Sequence, residues 1–532
     1  MAAKRGLTRI VLCHLEVTIM KYTVVSSAEY TYPDIWEYPS AAQAVDTFSA
    51  RGGYASFQLL LSDMAAPGVT VSFDGLPAGA EPEVYTLVPV VVERNHGIEP
   101  EARAPHYPER IAPYELYDCL RPFDGTIDLT GGQGGLYVSV KIAKDAVPGD
   151  YAASMTVNGV TVPVQLKIYA TVLPEESLKI IVGYNRNNCA KYHGIDPASD
   201  EYFALEEQYL AMLRRMHQNM MYTSGIIATK VGENKWEFDF SAFVAEVKHY
   251  EAAGMKYFNA PSVGSRKSWQ EPTILLNETI PAMSYEGYCY LTQYLPALRQ
   301  VLIENGWLDR FVMGVADEPN DANNTEFRAL CGLVRKIFPE IRLIDAMSYG
   351  NLHGALDIWV PLNAEYDKHR AELETLRAAG DEIWHYVCCG PREPGYINRF
   401  MDYPLLSTRY LHWGNYKYDL AGFLHWAANC YQPGQDPFRQ NCPEHHNADS
   451  VCYLPAGDTH NIYPGKGAPW MSIRLEAERE SAEEYELLRE LAKTDKPLAD
   501  EICESVFRSF KDVEYDVAKF TAAKKRLLEA LS

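Results

Sequence analysis

The stretch Phe311-Val312-Met313-Gly314-Val315-Ala316-Asp317-Glu318-Pro319 is an apolar run that ends abruptly in two acids and a proline. A short continuous apolar run bounded by such a stop reads as a strand buried on both faces, the kind found in parallel sheets. Pro319 cannot extend a hydrogen-bonded ladder, so the strand is expected to end there.

Working outward, the same grammar recurs. Strands are expected at Lys179 to Tyr184, Asn219 to Thr223, Lys256 to Ala260, Arg310 to Ala316, Arg342 to Met347, Asp357 to Leu362, Glu382 to Cys388 and Gly422 to Ala428. Amphipathic stretches separate them: Phe243, Val247 and Tyr250, or Leu330, Val334 and Ile337, fall on one helical face. A final helix is expected at about Ser472 to Lys493. Eight strand-helix units, none followed by a Gly-x-Gly-x-x-Gly fingerprint, predict a (β/α)8 TIM barrel rather than an open dinucleotide-binding sheet. In such barrels the chemistry sits at the C-terminal ends of the strands.

Before Pro174 the pattern is different. Ala55-Ser56-Phe57-Gln58-Leu59-Leu60-Leu61, Val69-Thr70-Val71-Ser72-Phe73, Gly135-Leu136-Tyr137-Val138-Ser139-Val140-Lys141-Ile142 and Thr161-Val162-Pro163-Val164-Gln165-Leu166-Lys167-Ile168 are short strands between Gly, Pro and Asp turns. They predict an antiparallel β-sandwich. The expected organisation is an unstructured extension over residues 1–20, a sandwich over 21–175, and an α/β barrel with C-terminal helices over 176–532. His96 to Tyr117, with four prolines, is expected to be a loop lying against the barrel.

The 532 residues are enough for two or three domains, and 47% hydrophobic residues can bury large cores. The net charge of -22 repels phosphate, which argues against nucleic acid or an anionic membrane as partner. No run reaches the 18 apolar residues of a membrane helix, and Ile10 to Leu15 is too short and interrupted for a signal-peptide core. The cytoplasm is the expected compartment. Eleven cysteines without C-x-x-C spacing fit reduced thiols there, and adjacent Cys388 and Cys389 are expected to be buried. Cys442, His445, His446 and Cys452 match no standard zinc pattern, so no metal and no cofactor are expected.

Asp317 and Glu318 place two carboxyls at the catalytic rim. Neighbours within a strand point to opposite faces, so both can serve one site only if the backbone rotates as the strand ends. Like charges held this close raise the pKa of one of them, which suits a general acid. The other role for such a pair is to offset the dipole of the following helix. A two-carboxylate retaining glycosidase needs a nucleophile about 5 Å from its acid. Strand seven ends in Tyr386-Val387-Cys388-Cys389-Gly390, without a carboxylate; Glu382 stands at the opposite end and Glu393 beyond Pro391. The nucleophile could instead be the substrate's own 2-acetamido oxygen, forming an oxazoline-type intermediate. Asp317 would then polarise the acetamido N–H while Glu318 protonates the leaving oxygen and later activates water.

Gly314-Val315-Ala316-Asp317-Glu318-Pro319 resembles the catalytic strand of glycoside hydrolase family 123, the β-N-acetylgalactosaminidases and their relatives. Further segments agree: Ala421-Gly422-Phe423-Leu424-His425-Trp426-Ala427-Ala428-Asn429, Ala456-Gly457-Asp458, Tyr463-Pro464-Gly465, Ser472-Ile473-Arg474-Leu475-Glu476 and Glu484-Tyr485-Glu486. The resemblance implies a sandwich followed by a barrel, an Asp-Glu pair at Asp317 and Glu318 working by substrate assistance, and a terminal β-linked N-acetylgalactosamine as substrate. Arg479-Glu480-Ser481-Ala482-Glu483 departs from the Arg-Asp-Gly type of helix entry usual there.

Other substrate-binding candidates rest on position. Arg186 follows strand one and offers a fork of donors, or an ion pair. Tyr349 and Tyr386 could close over the acetamido group, Trp426 could form a floor under the sugar ring, and Asn429 could bond a hydroxyl; each could equally brace a core or loop. Two other function classes are consistent with the sequence: a two-carboxylate glycosidase with Glu365 or Asp458 as nucleophile or base, and a non-catalytic carbohydrate-binding scaffold.

Overall fold

A computed structural model describes residues 20–95, 110–347, 350–392, 395–447 and 450–532. The extension expected over residues 1–20, apart from Met20, most of the proline-rich excursion, Tyr349 and Glu393 lie outside them.

The heart of the molecule is an all-parallel sheet. Strand one is Lys179–Val182, strand two Met220–Tyr222, strand three Tyr257–Ala260, strand four Phe311–Gly314, strand five Arg342–Met347, strand six Ile358–Pro361 and strand eight Gly422–His425. Strand seven is broken at Trp384 into Glu382–Ile383 and His385–Tyr386. Its first half pairs with strand six and its second half with strand eight, which in turn pairs with strand one. The nine segments therefore bring the sheet nearly closed, a TIM-like barrel, and a Leu362–Tyr386 bridge narrows the remaining seam. Strands two, four and eight are shorter than their apolar runs. The residues beyond them leave the ladder to build the rim.

Inside, apolar side chains such as Ile181, Met220, Ile344, Ile358, Val360 and Trp384 form one cluster. Gly422 makes room for Trp384, because a Cβ there would lie 2.3 Å from the indole. Among the described residues eight α-helices of eight or more residues lie within 186–506 and 517–531, and those that alternate with the strands bury apolar faces such as Phe327, Leu330, Cys331 and Val334.

The N-terminal region forms two further sheets that share an apolar core including Phe57, Leu59, Val138, Val164 and Leu166. One is seven-stranded and antiparallel, and it takes in Ile462–Tyr463 and Trp470–Ser472 from far along the chain. The other has four strands and corrects the expectation of wholly antiparallel pairing. Val45–Arg51 runs parallel to Val160–Val172, because a long connection through the other sheet separates them.

The last expected helix is longer than its pattern suggested, Ile473–Val506, with non-helical backbone at Asp495 just before Pro497. Its first half is buried although it is rich in charge, and each charge has a partner. Arg474 forks onto both oxygens of Asp118 at 3.0 Å, Arg479 reaches Glu483 at 2.6 Å and Glu476 at 3.0 Å, and Arg409 pairs with Glu480 and Glu484. Asp118 belongs to the seven-stranded sheet and Arg409 to the barrel side. The helix thus ties the two regions together through satisfied ion pairs.

Candidate active site

Strand four stops pairing at Gly314, and the residues that follow are held by side chains. Asn259 Oδ1 accepts from the Gly314 amide at 3.0 Å. Asp345 Oδ2, on strand five, accepts from the amides of both Val315 and Ala316 at 3.1 Å. One carboxylate oxygen thus substitutes for the ladder at the point where the chain turns.

The turn itself is Glu318, whose φ of +46° lies in the left-handed region. For a residue with a Cβ this costs on the order of 1–3 kcal/mol and persists only where the surroundings enforce it. Enforcement comes from Arg266, on the loop after strand three. Its Nη2 donates to the carbonyls of Asp317 and, at 3.1 Å, of Glu318, while its Nη1 donates to the Trp269 carbonyl at 2.8 Å. This rotation is what two adjacent acids need if they are to leave opposite faces of a strand and share one site.

Asp317 is exposed and Glu318 half-buried, and among the described residues neither carboxylate takes part in an ion pair. Walls of protein still crowd them. Desolvation raises the pKa of Asp317, against the pull of Arg266. Burial also raises that of Glu318, helped by the charge of Asp317 and opposed by the Tyr386 hydroxyl, Arg266 and the Trp269 indole. Tyr386, at the end of strand seven, donates to Glu318 Oε1 at 2.7 Å. Asp345 is buried and carries its proton to about 8, through desolvation first and the charge of Asp317 second, despite its two amide donors. Tyr222, at the end of strand two, feels both Asp317 and Asp345. Strands two, four, five and seven therefore converge on one set of acids.

The remaining candidates are placed differently. Trp426 donates its indole N–H to Asp458 Oδ1 at 3.0 Å, and Asp458, fully buried, is pushed up to about 6 by desolvation. Arg186 gives its guanidinium to Glu206 at 2.8 and 3.1 Å and to Glu246 at 3.4 Å. Asn429 is fully buried and spends its amide on the backbone of Asn185, accepting at 2.7 Å and donating at 3.1 Å. Both side chains fasten the loop after strand one. Glu365 lies in the first turn of the helix Asn363–Ala378, bonded to Lys368 at 2.8 Å. Cys388 and Cys389, expected to be buried, are half-exposed at the end of strand seven, because the chain turns outward there instead of continuing the ladder. Among the described residues no group of three or more His, Cys, Asp or Glu is arranged to hold a metal, and His446 faces Glu444 across 3.4 Å.

Sequence reasoning missed Asp345, Arg266 and Trp269. Asp345 carried a signal, since a lone acid inside Leu343-Ile344-Asp345-Ala346-Met347 has to be satisfied by something. Arg266 and Trp269 lie on an irregular loop and carried none.

The sequence model described as "Glycoside hydrolase 123, catalytic domain" matches residues 184–491. A family 123 glycoside hydrolase from Clostridium perfringens, solved in connection with glycolipid glycan hydrolysis, superposes with a TM-score of 0.74 at 15% identity, covering 97% of each chain. A family 5 mannosidase from Rhizomucor miehei (TM-score 0.30, 10% identity, 58% of this chain and 93% of that one) carries no argument at that score. The same holds for a family 20 exo-β-N-acetylglucosaminidase from Vibrio harveyi (TM-score 0.19, 9% identity, 65% and 82%). A search of curated proteins gave no match. With more than half of the chain matched, and the acid pair standing at the end of strand four inside the matched span, the protein belongs to glycoside hydrolase family 123.

Proposed function

We propose that the protein is a retaining β-N-acetylgalactosaminidase that works by substrate assistance on the terminal 2-acetamido sugar of a glycan, with glycolipid glycans as the substrate class. The observation that carries this is the left-handed turn at Glu318, which supports a shared site for the Asp317 and Glu318 side chains. The acetamido oxygen attacks the anomeric carbon as Glu318 passes its proton to the leaving oxygen, and Asp317 accepts the acetamido N–H. Water, deprotonated by Glu318, then opens the oxazoline-type ring and restores the acetamido group.

Alternative nucleophiles are poorly disposed. Asp345 holds its proton up to about 8 and bonds two amides through one oxygen. Asp458 is fully buried behind Trp426, and Glu365 is engaged by Lys368. The parallel sheet is read here as a (β/α)8 barrel over 176–532 and the N-terminal sheets as a sandwich over 21–175, with the enzyme in the cytoplasm.

The test uses an aryl β-N-acetylgalactosaminide together with the corresponding sugar lacking the acetamido nitrogen. Turnover of the first alone, with Glu318→Gln harming poor leaving groups far more than activated ones and Asp317→Asn impairing formation of the intermediate, is the expected result. Equal turnover of both sugars would sink substrate assistance. No turnover of any sugar in a broad panel would favour a binding protein.

A further inference from the structure

Trp269 stands at the edge of the acid pair in an unusual state, with a fixed main chain and an open ring. Trp269 is one of the exposed large apolar residues among those described, at 46%. Single exposed aromatics are ordinary on surfaces. This one is anchored where ordinary ones are not. Its carbonyl accepts from Arg266 Nη1 at 2.8 Å, from Asn320 Nδ2 at 2.8 Å and from Asn323 Nδ2 at 3.4 Å. Arg266 is the same side chain that grips the carbonyls of Asp317 and Glu318, and Asn320 lies two residues beyond Glu318. The loop after strand three and the acid turn after strand four are thus one bonded unit, with the indole as its open face.

Glu318 is bracketed. Its Oε1 takes the Tyr386 hydroxyl from the strand-seven side, and Trp269, on the strand-three side, is among the groups that lower the pKa of the same carboxyl. An oxygen that delivers a proton has to face the bond being broken, and the group departing with that proton lies next to the acid. An indole carried on that fixed main chain presents a flat apolar surface to the departing group. Pyranose rings carry an apolar C–H face that such a surface complements, and a main chain that is already fixed reduces the entropy lost on binding.

We propose that Trp269 is the platform of the leaving-group subsite, stacking on the pyranose attached through the scissile oxygen. This rests on the acid role given to Glu318 under the proposed function. The protein would accordingly prefer glycosides whose leaving group is a sugar to those whose leaving group is a small alcohol of the same acidity.

The experiment compares kcat/KM for a β-N-acetylgalactosaminyl-galactose disaccharide with that for the 2,2,2-trifluoroethyl β-N-acetylgalactosaminide. Trifluoroethanol is about as acidic as a sugar hydroxyl but carries no ring. Trp269→Ala should lower the disaccharide-to-trifluoroethyl ratio by about 10- to 100-fold, the range expected for loss of one aromatic platform. Trp269→Phe, which keeps a ring and removes the indole N–H, should hold the ratio within about 5-fold of wild type while moving the alkaline limb of the pH profile upward. A ratio unchanged in Trp269→Ala, whatever the absolute rates, overturns the platform. Wild-type protein that turns over neither glycoside overturns the proposed function, and the platform with it; wild-type turnover with an unchanged mutant ratio overturns the platform alone.

Discussion

The hydroxyl of Tyr386 donates to Glu318 Oε1 at 2.7 Å, joining the end of strand seven to the acid turn after strand four. Strands five and six separate those two in the sheet, so the bond spans the mouth of the barrel. A phenol on a carboxylate oxygen stabilises the ionised form, and here it tempers the rise that burial imposes on Glu318. Tyr386→Phe should let the pKa of Glu318 rise further. Because the general acid acts in its protonated form, the alkaline limb of kcat/KM should move to higher pH, with a loss of about 10-fold at the optimum from poorer orientation of the carboxyl. A pH–rate series on an unactivated glycoside checks this, and a limb shifted downward would contradict the bond's role.

Arg266 has two tasks, and one variant exposes both. Its Nη2 holds the carbonyls on either side of the Glu318 turn, and its charge lowers the pKa values of Asp317 and Glu318. Arg266→Gln should free the strained turn, and misplacing an acid by an ångström costs about 100-fold in rate. Removing the charge should also raise both carboxyl pKa values. kcat should therefore fall while both limbs of the pH profile move upward, and Tm should change little because the loop is a surface one. A large fall in Tm with an unshifted profile would make Arg266 a purely structural residue.

Asp345 separates hydrogen bonding from charge. Its folded-state pKa of about 8 lies above the unfolded value of about 3.9. The unfolded chain therefore releases this proton first, and the carboxyl penalises folding increasingly as pH rises from about 4 to 8, with no penalty below. Asp345→Asn can still accept from the Val315 and Ala316 amides but never ionises. It should match wild-type stability near pH 4 and exceed it near pH 8. Asp345→Ala removes the acceptor and orphans both amides, so it should lie about 2–4 kcal/mol below Asp345→Asn at any pH, while its gap to wild type narrows as pH rises. Thermal melts of the three proteins across pH 4 to 8 decide between these outcomes.

The parts of this architecture that were legible in the sequence are those governed by one-dimensional pattern. Apolar runs such as Phe311 to Ala316 announce buried strands, and the proline after Glu318 announces where one ends. What a pattern cannot carry is the direction of side chains beyond the last ladder bond. Arg186 and Asn429 stand at rim positions just as Trp426 does, yet their hydrogen bonds go to Glu206, Glu246 and Asn185, residues distant in sequence or on another loop. Asp345 looks like a strand residue until its two amide partners are seen. The parallel pairing of Val45–Arg51 with Val160–Val172 was equally hidden, since alternation fixes which face a residue occupies but not the direction of its neighbour strand. The helix at 473 is the hardest case, because seven charged residues in its first turns read as a solvated surface and are instead buried.

That buried helix supplies the last prediction. Glu476 is fully buried between Arg215 and Arg479, accepting from Arg479 Nη2 at 3.0 Å and from Arg215 Nη2 at 3.2 Å. Burial alone would raise its pKa, but the two guanidinium groups hold it down to about 2. A folded-state pKa below the unfolded value of about 4.3 contributes stability that is fully present above pH 4.3 and lost as pH falls toward 2. Glu476→Gln leaves two buried arginines short of a counter-charge, so it should destabilise by about 3–5 kcal/mol at pH 7. The gap to wild type should close as pH drops from 4.3 toward 2, because the wild-type carboxyl is then neutralised as well. Urea unfolding at pH 7 and pH 3 measures both quantities. If the gap stayed constant with pH, the glutamate would be acting through packing or hydrogen bonding, and the charge balance that ties this helix to the strand-two side of the barrel would have to be sought in Glu480 and Glu483 instead.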